Sequence, residues 1–77
     1  MAIMAQVIEN TAHLVQVLIE RRKALGISQA ELAQLCDLSA NGISKLESSG
    51  GEREVKLSTL FKLSQFLGFS IQLEFEA

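Results

Sequence analysis

The sequence has no proline, no tryptophan and no tyrosine, and it holds one cysteine and one histidine. A lone cysteine forms no internal disulfide and fits a reducing cytoplasm. Cys36, between Leu35 and Leu38, occupies the position of a small buried hydrophobe rather than of a redox sensor. His13 has neither a second histidine nor a neighbouring cysteine to complete a metal site. Gly50-Gly51 is not followed by the Lys-Ser/Thr of a phosphate loop, and no nucleophile–base pair stands out. These absences argue against an enzyme and call for no metal and no cofactor. No apolar run approaches the roughly 18 residues of a membrane span. The start, MAIMAQVIENTAHLVQ, lacks the basic region of a secretory signal, so the expected place is the cytoplasm, away from membranes.

Excess positive charge is also missing. The net charge of −2 weighs against a strong indiscriminate binder of polyanions. Its distribution softens that objection. Residues 21–62 contain all seven Lys and Arg against five acids, a local balance of +2, and the flanks carry the remaining four acids.

What the chain does have is helical periodicity on a scale that allows one small core, with nearly half of its residues apolar. Asn10 is an N-cap for a first helix over 11–25, with Leu14, Leu18 and Leu25 on one face and Val17 beside them. Arg21, Arg22 and Lys23 sit in its last turns, where cations complement the helix dipole. Gly26 supplies the left-handed residue after it. Ser28 and Glu31 form a capping box that opens a second helix at Gln29, with Leu32 and Leu35 facing inward. Asp37 ends that helix at a position needing positive φ. Ser39 caps a third helix over 40–47, with Ile43 and Leu46 inward and Ala40, Asn41, Ser44 and Lys45 outward. Residues 48–56 read as a loop. Leu57, Leu60, Phe61, Leu63, Phe66 and Leu67 make a fourth helix over 57–67 that is apolar on more than one face, and Gly68 stops it.

Phe69, Ile71, Leu73 and Phe75 then alternate with polar residues, the period of a strand with one apolar face. A lone strand leaves its backbone unpaired. Pairing with the same strand of a second copy would bury these four residues in a two-fold dimer. The alternative is packing on the chain's own domain or on residues 2–8. The organisation expected is an N-terminal extension over 1–9, a helical domain over 10–68 that carries the functional segment, and a dimerisation strand over 69–77.

The segment Ser28–Glu47, SQAELAQLCDLSANGISKLE, carries the functional signal. Two short helices joined by a tight turn pack across each other, with small Ala33 and branched Ile43 at their contact. One face of the second helix is left free to enter a DNA groove. Asn41 at its N-terminal end can pair bidentately with adenine. Ser44 can reach a base edge or phosphate, and Lys45 a phosphate or guanine. Ala40 offers only contact with a thymine methyl, and Ser39 stands at the same groove-entering end. Gln29, with the free N–H groups of its helix end, suits a phosphate, as do Ser48 and Ser49 after the third helix. Arg22 or Arg21 is a further phosphate contact; a solvated charge is the alternative for either. Gly42 inside the third helix suggests close approach to DNA or to the second helix, or a tolerated flaw. Glu47 reads as structural, holding an arginine.

Arg22, Gly26-Ile27-Ser28-Gln29, Leu32-Ala33, Leu38-Ser39, Ile43-Ser44 and Leu46-Glu47 together resemble the Xre/Cro-type helix-turn-helix family over about residues 14–68. The resemblance implies a mainly α, compact, lambda-repressor-like bundle of four or five helices that binds DNA as a dimer through Gln29 and the third helix. The family's usual turn glycine is Asp37 here, and its frequent long polar reader is Ala40. The ending LFKLSQFLGFSIQLEFE is similar to that of HipB-like antitoxins, in which a terminal strand pairs across the dimer. That likeness implies a homodimer on a palindromic double-stranded operator, repression of its own operon, and a HipA-like kinase toxin as protein partner. A phage or housekeeping regulator without a toxin is the alternative within the class. A protein-interaction module that has lost DNA binding is the alternative outside it.

Overall fold

The protein is represented by a computed structural model that describes residues 4–50, 52 and 54–77. Residues 1–3 of the expected N-terminal extension, and Gly51 and Arg53 of the expected 48–56 loop, lie outside the described residues. Among the described residues four helices follow in order: α1 (Thr11–Ala24), α2 (Gln29–Leu35), α3 (Ala40–Ser48) and α4 (Leu57–Leu67).

Their boundaries have local chemical causes. The Asn10 side chain accepts the His13 N–H at 2.8 Å and starts α1. α1 ends in a Schellman pattern: Gly26 N–H reaches the Lys23 carbonyl and Ile27 N–H the Arg22 carbonyl, with Gly26 at φ +72°. Ser28 and Glu31 make the reciprocal capping box at the start of α2. The same C-terminal pattern closes α2, where Leu38 N–H reaches the Ala33 carbonyl at 2.8 Å. Asp37 holds the left-handed position there at φ 56°, as expected where glycine is more usual. Lys56 precedes α4 and makes no side-chain cap.

The core is formed by Leu18, Leu32, Ala33, Cys36, Ile43, Leu63 and Leu67, with Leu14, Ile27, Leu38, Leu46, Leu60 and Phe69 packed around it. α2 and α3 share the largest contact, α1 lies against α3 and α4, and α2 against α4. Cys36 is buried and its thiol lies 3.8 Å from the Lys62 carbonyl. Burial pushes that thiol up, opposed in part by the charge of Lys62.

Three expectations change. The inward stripe of α1 is Val15, Leu18 and Arg22, and Leu25 is exposed. Three- and four-residue steps place Val15 and Arg22 on the face of Leu18, whereas Leu25 falls in the C-cap. Leu35 is half exposed, because α2 turns Leu32, Ala33 and Cys36 inward and carries Leu35 past the rim. On α4 only Leu63 and Leu67 are buried, while Leu57, Phe61 and Phe66 remain exposed.

The expected strand is likewise not formed in the single chain. Among the described residues there is no strand, and 69–77 have no regular secondary structure. Phe69 packs partly on the core, whereas Ile71, Leu73 and Phe75 are exposed. The physical reason is the one the pattern implies: a ladder needs a second strand, and residues 4–9 do not supply it.

Candidate nucleic-acid interface

α3 buries one stripe and exposes another. Ile43 is 1% exposed and anchors the helix against α2. Ala40, Asn41, Ser44 and Lys45 all face solvent. At the leading end the Ser39 hydroxyl accepts the Gly42 N–H at 2.9 Å. A β-carbon on Gly42 would stand 3.0 Å from that hydroxyl oxygen. Gly42 therefore leaves room for the cap, a reason internal to the helix that sequence reading did not weigh.

At the trailing end Ser48 Oγ donates to the Lys45 carbonyl at 3.4 Å, and Ser49 Oγ to the Leu46 carbonyl at 3.1 Å. Ser48 is exposed and Ser49 half-buried. A shallow groove beside α3 brings Ser39 and Lys45 together with Lys56 and Thr59. Lys56 was missed as a member of this surface. Its signal in sequence is weak, a cation in a mixed-charge loop just before a helix.

Arg21 stays exposed, whereas Arg22 turns inward and is 9% exposed. Its Nε donates to Glu47 Oε2 at 2.7 Å, Nη2 to Glu47 Oε1 at 2.9 Å and Nη1 to the Ile27 carbonyl at 2.8 Å. Arg21 donates through Nε to the Leu67 carbonyl at 2.7 Å, at the C-terminus of α4. Gln29, half-buried, gives its Nε2 to Glu47 Oε1 at 2.9 Å. Glu47 thus holds an arginine, as the sequence suggests, and a glutamine as well.

Burial alone would raise the Glu47 carboxyl. Hydrogen bonds from Arg22 and Gln29, with the charges of Arg22 and Lys23, outweigh that and hold it below the ordinary carboxylate range. The Arg22 guanidinium is pushed up by its bond to Glu47, against burial.

The profile of the helix-turn-helix family HTH_3 matches residues 18–73. The chain belongs to this family. Among solved structures, one described as a HipB-O1-O2 complex matches with a TM-score of 0.76 and 29% identity, covering 90% of this chain and 97% of that one. No curated protein sequence matches. The HTH_3 assignment and the HipB likeness together bear out the Xre-type, HipB-like helical fold expected from residues 14–68. It makes the chain a DNA-binding regulator and not an enzyme. In this HTH_3 chain no helix among the described residues is long and apolar enough to cross a membrane.

Proposed function

We propose that the protein is a homodimeric repressor that reads a palindromic operator with α3, and that it is the antitoxin and autorepressor of a HipBA-like operon. The observation that carries this reading is the solvent-facing row Asn41, Ser44 and Lys45 on a helix whose opposite side is locked by Ile43. Asn41 reads adenine, Ser44 and Lys45 a base edge or phosphate, and Ala40 a thymine methyl. Gln29, Ser39, Ser48 and Ser49, at the ends of α2 and α3, are the groups assigned to the DNA backbone.

Arg22 contributes differently from a phosphate clamp. Its guanidinium is spent on Glu47 and Ile27, so its part in DNA binding is to hold Glu47 and, through it, Gln29. The cytoplasm is the place for such a regulator.

Dimerisation through 69–77 is supported by exposed apolar surface. Ile71, Leu73 and Phe75, with Leu57 and Phe61 of α4, are large hydrophobic side chains open to water. Two copies joined by their tails would cover part of this surface and complete the backbone pairing of both strands. The HipB-like ending and the likeness to a HipB complex support a HipA-like kinase toxin as the protein partner.

The deciding experiment is binding of purified protein to DNA upstream of its own gene, against random duplex, with salt varied. Preferential, salt-sensitive binding at a two-fold symmetric site is the expected result. Absence of preference even at low salt would put in first place the reading as a protein-interaction module, which the net charge of −2 favours.

A further inference from the structure

The exposed Arg21 guanidinium stands at the root of the tail. Its Nε donates to the Leu67 carbonyl at 2.7 Å, and its Nη2 lies 3.2 Å from where a β-carbon on Gly68 would be. Neither Nη atom makes a hydrogen bond or ion pair among the described residues. A cation with free donors is thus held beside the residue from which the tail departs. The tail's own acids, Glu74 and Glu76, are exposed and make no ion pair among the described residues either.

A second observation sets the phase of any ladder the tail can join. The Phe69 N–H donates to the Ser64 carbonyl at 3.3 Å, in the cap of α4. It is not free to donate to another strand, so Phe69 takes a non-hydrogen-bonded position in an antiparallel pair. Alternation then places Ile71, Leu73 and Phe75 at such positions too, and gives the ladder bonds to Ser70, Gln72 and Glu74. The apolar residues therefore occupy the pairs whose facing Cα atoms come closest, roughly 4.5 Å apart.

A two-fold axis reverses strand direction, so two tails pair antiparallel. Facing residues share one face of the ribbon. The axis must then pass through a residue, because an axis between two residues would set apolar side chains opposite polar ones. Centred on Ile71, Phe75 would face Leu67, which is buried inside α4. Centred on Leu73, Phe69 would face only Ala77, and Glu76 would face Ser70. Centred on Glu74, that residue would face itself, and centred on Phe75, Glu74 would face Glu76; like charges directly opposite are unfavourable. Centred on Gln72, Phe69 faces Phe75 and Ile71 faces Leu73, so all four apolar residues meet apolar partners. Glu74 then faces Ser70, and Glu76 arrives opposite Gly68, where Arg21 stands.

Resting on the tail-joined homodimer read above, we propose that the two tails pair about Gln72 and that Arg21 of each protomer binds Glu76 of the partner subunit. Two ion pairs close the two ends of the ribbon. The Gln72 amides, each with a donor and an acceptor, face one another at its centre. Arg21 is an interface residue and not a phosphate contact.

Cross-linking of the full chain tests the register. Ile71→Cys and Leu73→Cys are made separately, and the native protein, whose Cys36 is buried, is the blank. Facing Cα atoms in a non-hydrogen-bonded pair lie within disulfide reach. Mixed, allowed to exchange and oxidised, the two variants should join to each other in preference to themselves. Preferential self-joining of either one, or no joining in a protein that sediments as a dimer, would overturn the register and leave the homodimer standing. A native chain that sediments as a monomer would overturn both.

The ion pair has its own test. Glu76→Arg sets two cations together at each end and should weaken dimerisation about 2- to 30-fold by sedimentation. The native dimer should loosen as salt is added, and the Glu76→Gln dimer should loosen less. A Glu76→Arg dimer as tight as the native one, or equal salt dependence of native and Glu76→Gln dimers, would overturn the role of Arg21.

Discussion

Arg22 and Glu47 stand 25 residues apart and meet as a fork on a fork, with N–H···O distances of 2.7 and 2.9 Å. The pair joins α1 to α3 with both side chains nearly out of water. Removing one partner strands the other. Glu47→Ala should lower unfolding free energy by roughly 3–5 kcal/mol in urea titration. Replacing both, Arg22→Met with Glu47→Leu, should recover most of that loss, since no uncompensated charge remains. A double variant as unstable as the single one would show that packing, and not charge, is what α1 and α3 need here.

The same carboxylate makes a pH prediction. Its folded value lies below the ordinary 4.5, so in acid the unfolded chain takes up the proton first. Stability then rises with pH across that interval and is lost as pH falls through the folded value. Chemical denaturation between pH 3 and pH 7 should show a decline beginning near the ordinary carboxylate value. The decline should be shallower in Glu47→Gln, which has no such proton to bind.

Asn41 is exposed and no side chain of the core depends on it. Asn41→Ala should reduce preference for the operator over random duplex by roughly 1–3 kcal/mol at an unchanged melting temperature. Unchanged preference would remove Asn41 from the reading set.

Leu73 is 75% exposed. Leu73→Lys should leave each chain folded and shift sedimentation toward the monomer, because a cation enters the apolar face that tail pairing would bury. A variant that remains fully dimeric would rule out the tail as the interface.

Asp37 occupies the left-handed position after α2. That conformation costs an L-residue roughly 1–2 kcal/mol. Asp37→Gly should therefore raise stability by about 0.5–1 kcal/mol, part of the relief being returned as chain entropy in the unfolded state. Thermal unfolding checks the sign.

Much of this architecture is legible in sequence because it is local. Asn10 and Ser28 with Glu31 start helices, and Gly26, Asp37 and Gly68 end them, through contacts within a few residues of themselves. The outward row on α3 follows from Ile43 and helical spacing alone. What depends on partners distant in sequence was legible only in part. Glu47 reads as holding an arginine, but which arginine is settled only when Arg22 folds against it, and the bond from Gln29 to the same carboxylate leaves no local signal. The faces of α4 misled for a related reason. Six apolar residues suggested deep burial, but one small chain buries only Leu63 and Leu67, packs Leu60 at the rim, and leaves Leu57, Phe61 and Phe66 exposed.

Arg21 and Gly68 set one more quantity. Arg21 grips the last carbonyl of α4, and Gly68, at φ +72° with Arg21 Nη2 only 3.2 Å from where a β-carbon would stand, fixes the direction in which the tail departs. In a tail-joined pair that departure angle decides how far apart the two reading helices lie. The number of base pairs between operator half-sites would then be dictated by a hinge at the far end of the last helix, and a substitution there would change the spacer length tolerated while leaving the bases chosen within each half-site the same.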